Sequence, residues 1–163
     1  MSLKARLVAA SIALCLPVVA YFEGTRYRVY LDPVGIPTVC TGHTGPDVKM
    51  GDVWTPAQCN AALERDLEEA AKSVDRCATG PMTKYQRAAF ISFTFNVGPG
   101  KAGVKDGFCT LKSGKPSTMV RLINEGRAAE ACDQFKYWKQ PGQGLAGIAK
   151  RRDAEEALCK RSG

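Results

Sequence analysis

From Leu7 to Phe22 the chain carries no charged side chain, and at Glu23 that pattern breaks. Gly24 follows as a helix terminator, and Arg26-Tyr27-Arg28-Val29-Tyr30-Leu31 then alternates with the two-residue period of a half-buried strand. Asp32-Pro33-Val34-Gly35 has turn chemistry: Asp at the first position, Pro with its preset φ at the second, Gly at the fourth. Ile36 to Thr41 is expected to return as the partner strand. Glu23 therefore closes a helix while Asp32 and Thr38 flank one hairpin turn, and all three can face a common space.

Beyond the hairpin the period becomes helical. Thr55-Pro56-Ala57-Gln58 is a capping box with Pro at the first helical position, leading into an apolar stripe at Cys59, Leu63, Leu67, Ala70 and Val74. Thr83-Lys84-Tyr85-Gln86 starts a second helix whose apolar body (Ala88, Ala89, Phe90, Ile91, Phe93, Phe95) predicts a buried central helix ending at Gly98. Further helices are expected near Ser117 to Asn124, Arg127 to Trp138 and Gly147 to Cys159. The expected class is α+β, mainly helical, with one small sheet near the N-terminus. At 163 residues, with no repeat or low-complexity linker, residues 1–163 read as a single domain.

Charge adds a preference for partners. The balance of 23 Lys+Arg against 16 Asp+Glu gives +7, which favours an anionic partner: nucleic acid, an acidic membrane surface or an anionic cell envelope. The basic residues are spread along the chain in no nucleic-acid motif, so a nucleic-acid partner is not expected. Met1 to Arg6 carries Lys4 and Arg6 and no acid, and with the apolar run after it resembles an export signal over residues 1–22. Cleavage after Val18-Val19-Ala20 would leave Glu23 close to a new terminus. A permanent membrane span needs roughly 20 apolar residues, and this run is short, Ala/Ser-containing and interrupted by Pro17. An uncleaved anchor able to leave the bilayer and a simple buried first helix are the remaining readings.

Cysteine usage agrees with export, because an oxidising compartment permits disulfides. The seven cysteines lie at 15, 40, 59, 77, 109, 132 and 159. Six in the body of the chain allow fifteen connectivities, and Cys15 stands alone in the apolar run. With no Cys-x-x-Cys pair and a single histidine, a structural metal site is not expected.

The candidate chemistry lies at the seam. Glycoside hydrolysis needs a proton donor for the leaving oxygen and a second polar group that positions water or stabilises an oxocarbenium-like centre. Glu23, approached by Val18, Val19, Tyr21 and Phe22, has apolar surroundings that suit a proton-bearing carboxyl group, whereas Asp32 at a polar turn suits the ionised role. By spacing alone the pair is also compatible with ordinary surface carboxylates.

The pattern Glu, eight residues, Asp, five residues, Thr is met by Glu23, Asp32 and Thr38, with "FEG" around the first, "YLDPVG" around the second and "GHTG" (42 to 45) following the third. With "MTKYQRAAFISFTFNVG" (82 to 98), "LINEG" (122 to 126) and "GIAKRRDAE" (147 to 155), it resembles the phage-type lysozymes, or endolysins, of glycoside hydrolase family 24, over roughly residues 18 to 159. The resemblance implies a lysozyme-like fold, with a hairpin lobe and a helical lobe flanking a cleft. It implies an enzyme that hydrolyses the β-1,4 bond between N-acetylmuramic acid and N-acetylglucosamine in peptidoglycan, for host cell lysis. It also implies a monomer with no cofactor, exported by a bacterial host to the inner membrane and periplasm. The N-terminal segment would then be of the signal-anchor-release type.

Residue by residue, the resemblance implies Glu23 as general acid, Asp32 as the carboxylate that holds the attacking water or stabilises positive charge, and Thr38 as the hydroxyl that orients the water. Phe95, Asn96 and Ser117 would bind substrate. Arg151 would pair with Glu23, although Arg152 is close enough to confuse that assignment. His43 tempts as a base, being the chain's one imidazole, but the resemblance sets it in a structural ion pair with Asp66. Secreted members imply the pairs Cys40–Cys59, Cys77–Cys109 and Cys132–Cys159. Two departures stand out: Cys40-Thr41 replaces a more usual glycine-rich strand ending, and residues 101 to 116 hold an extra Lys/Gly-rich stretch. Gly98-Pro99-Gly100-Lys101-Ala102-Gly103 meets the dinucleotide pattern G-x-G-x-x-G, but it follows a helix and lacks a βαβ unit, so it reads as a helix stop and loop. The rival function is a catalytically silent, disulfide-stapled wall-binding module.

Overall fold

The computed structural model of the chain describes residues 2–139 and 145–162; the side chains of Leu3, Lys4 and Leu145 also lie outside the described residues. Helix α1 spans Leu3–Glu23, with Ser2 accepting from the Ala5 amide at its start and Gly24 (φ 63) ending it. Expected as an interruption, Pro17 lies inside a continuous helix. It lacks the N–H that would reach the Ala13 carbonyl, and both residues are exposed, so water can satisfy that carbonyl.

Strands β1 (Arg26–Leu31), β2 (Pro37–Cys40) and β3 (His43–Thr44) form an antiparallel sheet in the order β1-β2-β3. The partner strand is thus shorter than expected and a third strand follows it. Register pairs Tyr30 with Thr38 and Thr38 with Thr44, so Thr38 is the middle residue of a three-strand row. The lobe has its own small core of Val29, Val39, Cys40, Val48 and Cys59, with Trp54 packed against it. The Cys40–Cys59 disulfide ties this lobe to the next helix.

Helix α2 (Pro56–Cys77) begins at the expected capping box and buries Cys59, Leu63, Leu67, Ala70 and Val74. Helix α3 (Lys84–Val97), also opened by a capping box, is buried from Ala88 to Thr94 and packs against α1, α2 and α6 (Leu145–Cys159). Helix α4 is Thr118–Asn124 and α5 is Ala128–Cys132. The single helix expected over Arg127 to Trp138 is instead α5 followed by a 3₁₀ segment, Asp133–Trp138. Three residues per turn bring i and i+3 onto one edge, and Phe135 and Trp138 both meet Phe93 there, with ring centroids 5.6 and 5.0 Å away.

The extra stretch 101 to 116 is a tight loop anchored by Phe108, which is fully buried against Phe90 and Phe93. Its glycines serve close packing: a Cβ on Gly107 would stand 2.0 Å from the Gly100 nitrogen. That accounts for the dinucleotide-like pattern, since Gly98 caps α3 and donates to the Thr94 carbonyl. The remaining disulfides, Cys77–Cys109 and Cys132–Cys159, pin this loop to α2 and α5 to α6. Cys15 is free and buried.

Candidate active site

Glu23 is the last residue of α1, and the turn away at Gly24 leaves its side chain at the junction of the two lobes. Its side chain is 22% exposed and pairs with the Nη1 of Arg151 on α6. From the sheet side, a Cβ at Gly42 would come within 4.0 Å of Glu23 Oε2, and Gly42 holds φ 92. The backbone between β2 and β3 therefore closes on the carboxylate where a side chain would be strained. Cys40, at φ 59, is the only non-glycine residue with positive φ among the described residues. It occupies a conformation that glycine adopts more easily, which gives the departure from a glycine-rich strand ending its physical meaning.

Asp32 follows strand β1 in the expected turn. Its Oδ1 accepts from the amides of Val34 (2.9 Å) and Ile36 (2.8 Å), and its backbone closes the turn with Ile36 and Gly35. Those bonds occupy Oδ1, so Oδ2 is the atom available to water. Thr38 is 4% exposed, and its hydroxyl donates to the Ile36 carbonyl at 2.9 Å. With that proton committed, its oxygen can only accept. The hairpin thus presents two acceptors, one charged and one neutral, each aimed by its own local hydrogen bonds.

An open cleft of about 330 Å³ lies between Gly42 and Thr44 of the sheet lobe and Asp66, Ser73, Thr94 and Phe95 of the helical lobe. Phe95 therefore lines it. Asn96, one residue and about 100° further round α3, faces a neighbouring hollow of about 430 Å³ that also touches Lys105, Lys112, Trp138 and Arg152. Its Oδ1 accepts from Arg152. Ser117 is placed differently from a substrate-binding residue: it is fully buried, caps α4 through the Val120 amide (3.2 Å) and donates to the Phe108 carbonyl. Both its hydrogen-bonding roles are taken inside the fold, which removes it from the cleft.

His43 sits between two carboxylates in a structural cluster, with Nδ1 2.8 Å from Asp66 and Nε2 3.3 Å from Asp47. It joins β3 to α2. Arg151 and Arg152 separate cleanly, the first reaching Glu23 and the second Asn96. The sequence reading missed the groups that hold both arginines. Glu155 is fully buried; its Oε1 lies 3.2 Å from Arg151 Nε and accepts from the Ser92 hydroxyl at 2.8 Å, and its Oε2 lies 3.0 Å from Arg152 Nη1. The spacings i,i+4 and i,i+3 from the two arginines were the available signal. Burial raises the Glu155 carboxyl above the ordinary glutamate range, opposed by Arg152, Arg151 and the Ser92 hydroxyl. Burial likewise lowers Arg152 to about 10, opposed first by the charge of Glu155.

Among the described residues no cluster of three or more His, Cys, Asp or Glu side chains is arranged to hold a metal ion. A family model described as phage lysozyme matches residues 20–155. The SAR-endolysin of Bacteriophage PS119 is 36% identical over 138 residues, which is 84% of this chain and 75% of that protein. Among solved structures, the muramidase domain of SpmX from Asticaccaulis excentricus superimposes with a TM-score of 0.74 at 27% identity, covering 91% of this chain and 95% of that one. The endolysin from Escherichia coli O157:H7 phage FAHEc1 gives 0.72 at 25% identity, covering 92% of each chain.

Proposed function

The chain belongs to the phage lysozyme family, and from that premise we infer that it is an endolysin: a muramidase that hydrolyses peptidoglycan to lyse the host cell. The bond cut is the β-1,4 linkage from N-acetylmuramic acid to N-acetylglucosamine, and the glycan strand lies along the cleft past Phe95. The observation that carries this reading is the meeting of Glu23, held by Arg151, with the backbone at Gly42 beside the hairpin that bears Asp32 and Thr38.

In this mechanism Glu23 donates its proton to the leaving glycosidic oxygen. Positive charge develops at the anomeric carbon, and Asp32 stabilises it and receives a proton of the attacking water through Oδ2. The Thr38 oxygen accepts the water's other hydrogen, because its own proton is committed to Ile36. Phe95 packs against the sugar, and Asn96, tethered to Arg152, contributes at the cleft's shoulder. His43 and Asp66 keep β3 against α2, so their part is structural.

Residues 1–163 act as one monomeric unit. The family relationship and the apolar α1 support export to the periplasm. In the window Ala5–Glu23, which is long and apolar enough to cross a membrane, only 17% is buried within the fold. A core helix would be mostly covered, so this one suits two environments. Ser11, Cys15 and Val19, spaced four apart, are fully buried, and the next step of that stripe is Glu23. Docking of the stripe therefore delivers Glu23 to Arg151. While α1 spans the inner membrane the pair cannot form, and leaving the bilayer completes the site.

The test is Glu23→Gln. The variant should keep its fold by circular dichroism, still bind purified cell walls in a pelleting assay, and lose about two to four orders of magnitude in muralytic rate. Near-normal hydrolysis would end the mechanism. Wall binding with no hydrolysis by the unmodified chain would favour the silent binding module.

A further inference from the structure

General acid catalysis needs a carboxyl group that bears its proton at the working pH, yet neighbouring guanidinium groups favour the ionised form. Glu23 has two such neighbours: Arg151 bonds to it and Arg152 sits close enough for the two charges to interact. Neither arginine faces it alone. All three sides of the Arg151 guanidinium are engaged, Nη1 by Glu23, Nε by Glu155 at 3.2 Å and Nη2 by the Ser92 carbonyl at 3.4 Å. Arg152 is turned towards Asn96, stacks 4.7 Å over the Phe93 ring, and has Nη1 3.0 Å from the second oxygen of Glu155.

We propose that Glu155 is a positioning residue for the reaction, one that aims Arg151 at Glu23 and balances the charge of both arginines so that Glu23 can work as an acid. The proposal rests on the reading of Glu23 as general acid. Glu155 touches no space that substrate can reach, being fully buried, and acts only through the arginines. Removing its charge leaves two guanidiniums facing one carboxylate. The titratable and charged groups packed around it are Arg151 and Arg152 on α6 and Cys15 and Glu23 on α1. Helix α3 contributes Ser92 and Asn96, which do not titrate. The Cys15 thiol is pushed up to about 12 by burial, so it stays neutral through the working range and leaves the four-charge set to decide the balance.

The experiment is the pH–rate profile for cell-wall hydrolysis at constant ionic strength. Glu155→Gln retains an acceptor for Ser92 and Arg151 but removes the charge. Its basic limb, where the acid loses its proton, should move to lower pH by about one unit. Arg152→Gln should move the limb to higher pH, and the double variant Glu155→Gln/Arg152→Gln should return it towards the unmodified position. Glu155→Asp, which keeps the charge, should leave the limb close to the unmodified position. A melting curve at each pH separates limb position from unfolding. An unmoved limb in folded Glu155→Gln, with only a fall in amplitude, overturns the proposal. Should Glu155→Gln fail to fold, an unmoved limb in Arg152→Gln overturns it equally. Glu23→Gln distinguishes the two levels: if that variant is inactive while the limbs stay put, the charge-balance role alone falls. If it is active, the reading of Glu23 falls first.

Discussion

Replacing Ala9, Ala10 and Ala13 by Leu tests whether departure of α1 from the bilayer controls activity. All three side chains are exposed in the docked fold, so longer side chains there meet solvent and no neighbour is displaced. Ser11 must be spared. It is fully buried and donates to the Leu7 carbonyl at 2.9 Å, and leucine in such a packed position would cost ~1–3 kcal/mol in the fold itself. In the membrane each Ala→Leu adds apolar surface. The insertion scale assigns Leu about −0.3 to −0.6 kcal/mol near a helix centre, so the set adds at least ~1 kcal/mol of retention. Methylene burial at ~0.8 kcal/mol each places the upper bound near ~7 kcal/mol. Even the lower figure shifts the embedded-to-docked ratio about fivefold. The assay is fractionation of membrane and soluble periplasm during expression, with lysis timed after depolarisation. The variant should remain in the membrane fraction longer and lyse later, while the released protein hydrolyses walls at the unmodified rate. Release and lysis on the unmodified schedule, or a mature N-terminus beginning after Ala20, would refute the anchored-and-released reading.

Three further outcomes follow from the cysteines. Joining Cys77 to Cys109 closes a loop with a sequence separation of 32, for which the chain-entropy relation gives ~3.7 kcal/mol. Replacing both with Ala should lower Tm by roughly 7–15 °C under oxidising conditions and change little in reductant; peptide mapping that joins either cysteine elsewhere would contradict the pairing. Burial pushes the free Cys15 thiol from 9.0 up to about 12, so a thiolate-directed reagent at pH 8.5 should label native protein at least ~100-fold more slowly than denatured protein. Its sign in stability is also determined: the neutral thiol's contribution is complete below pH 9 and is lost as pH rises towards 12. Cys15→Ala should therefore lose less stability than the unmodified chain between pH 9 and pH 11 in urea melts, and equal losses would show that Cys15 is not buried as described.

The sequence by itself determined what local rules govern. Capping boxes at Thr55 and Thr83, the turn at Asp32–Gly35 and the terminating Gly24 each act within a few residues, so their elements are written in the order of the chain. The Glu23, Asp32 and Thr38 pattern is also readable along the chain, because it is a spacing of residue types and needs no distance to be recognised. Position on a helix is harder to read when every neighbour is plausible. Asn96 and Phe95 are adjacent in sequence yet face different hollows, and Ser117 proved to be a buried cap. The change from α-helix to 3₁₀ after Cys132 likewise depends on Phe93, a residue remote in the chain. Only the tertiary structure decided which arginine meets Glu23, because that bond spans 128 positions and both candidates share one short motif. It also disclosed Glu155, whose side chain looks from sequence like any helix-surface glutamate. Its role comes from α1, α3 and α6 converging around it, where burial removes water and leaves a second carboxylate to balance two guanidinium charges.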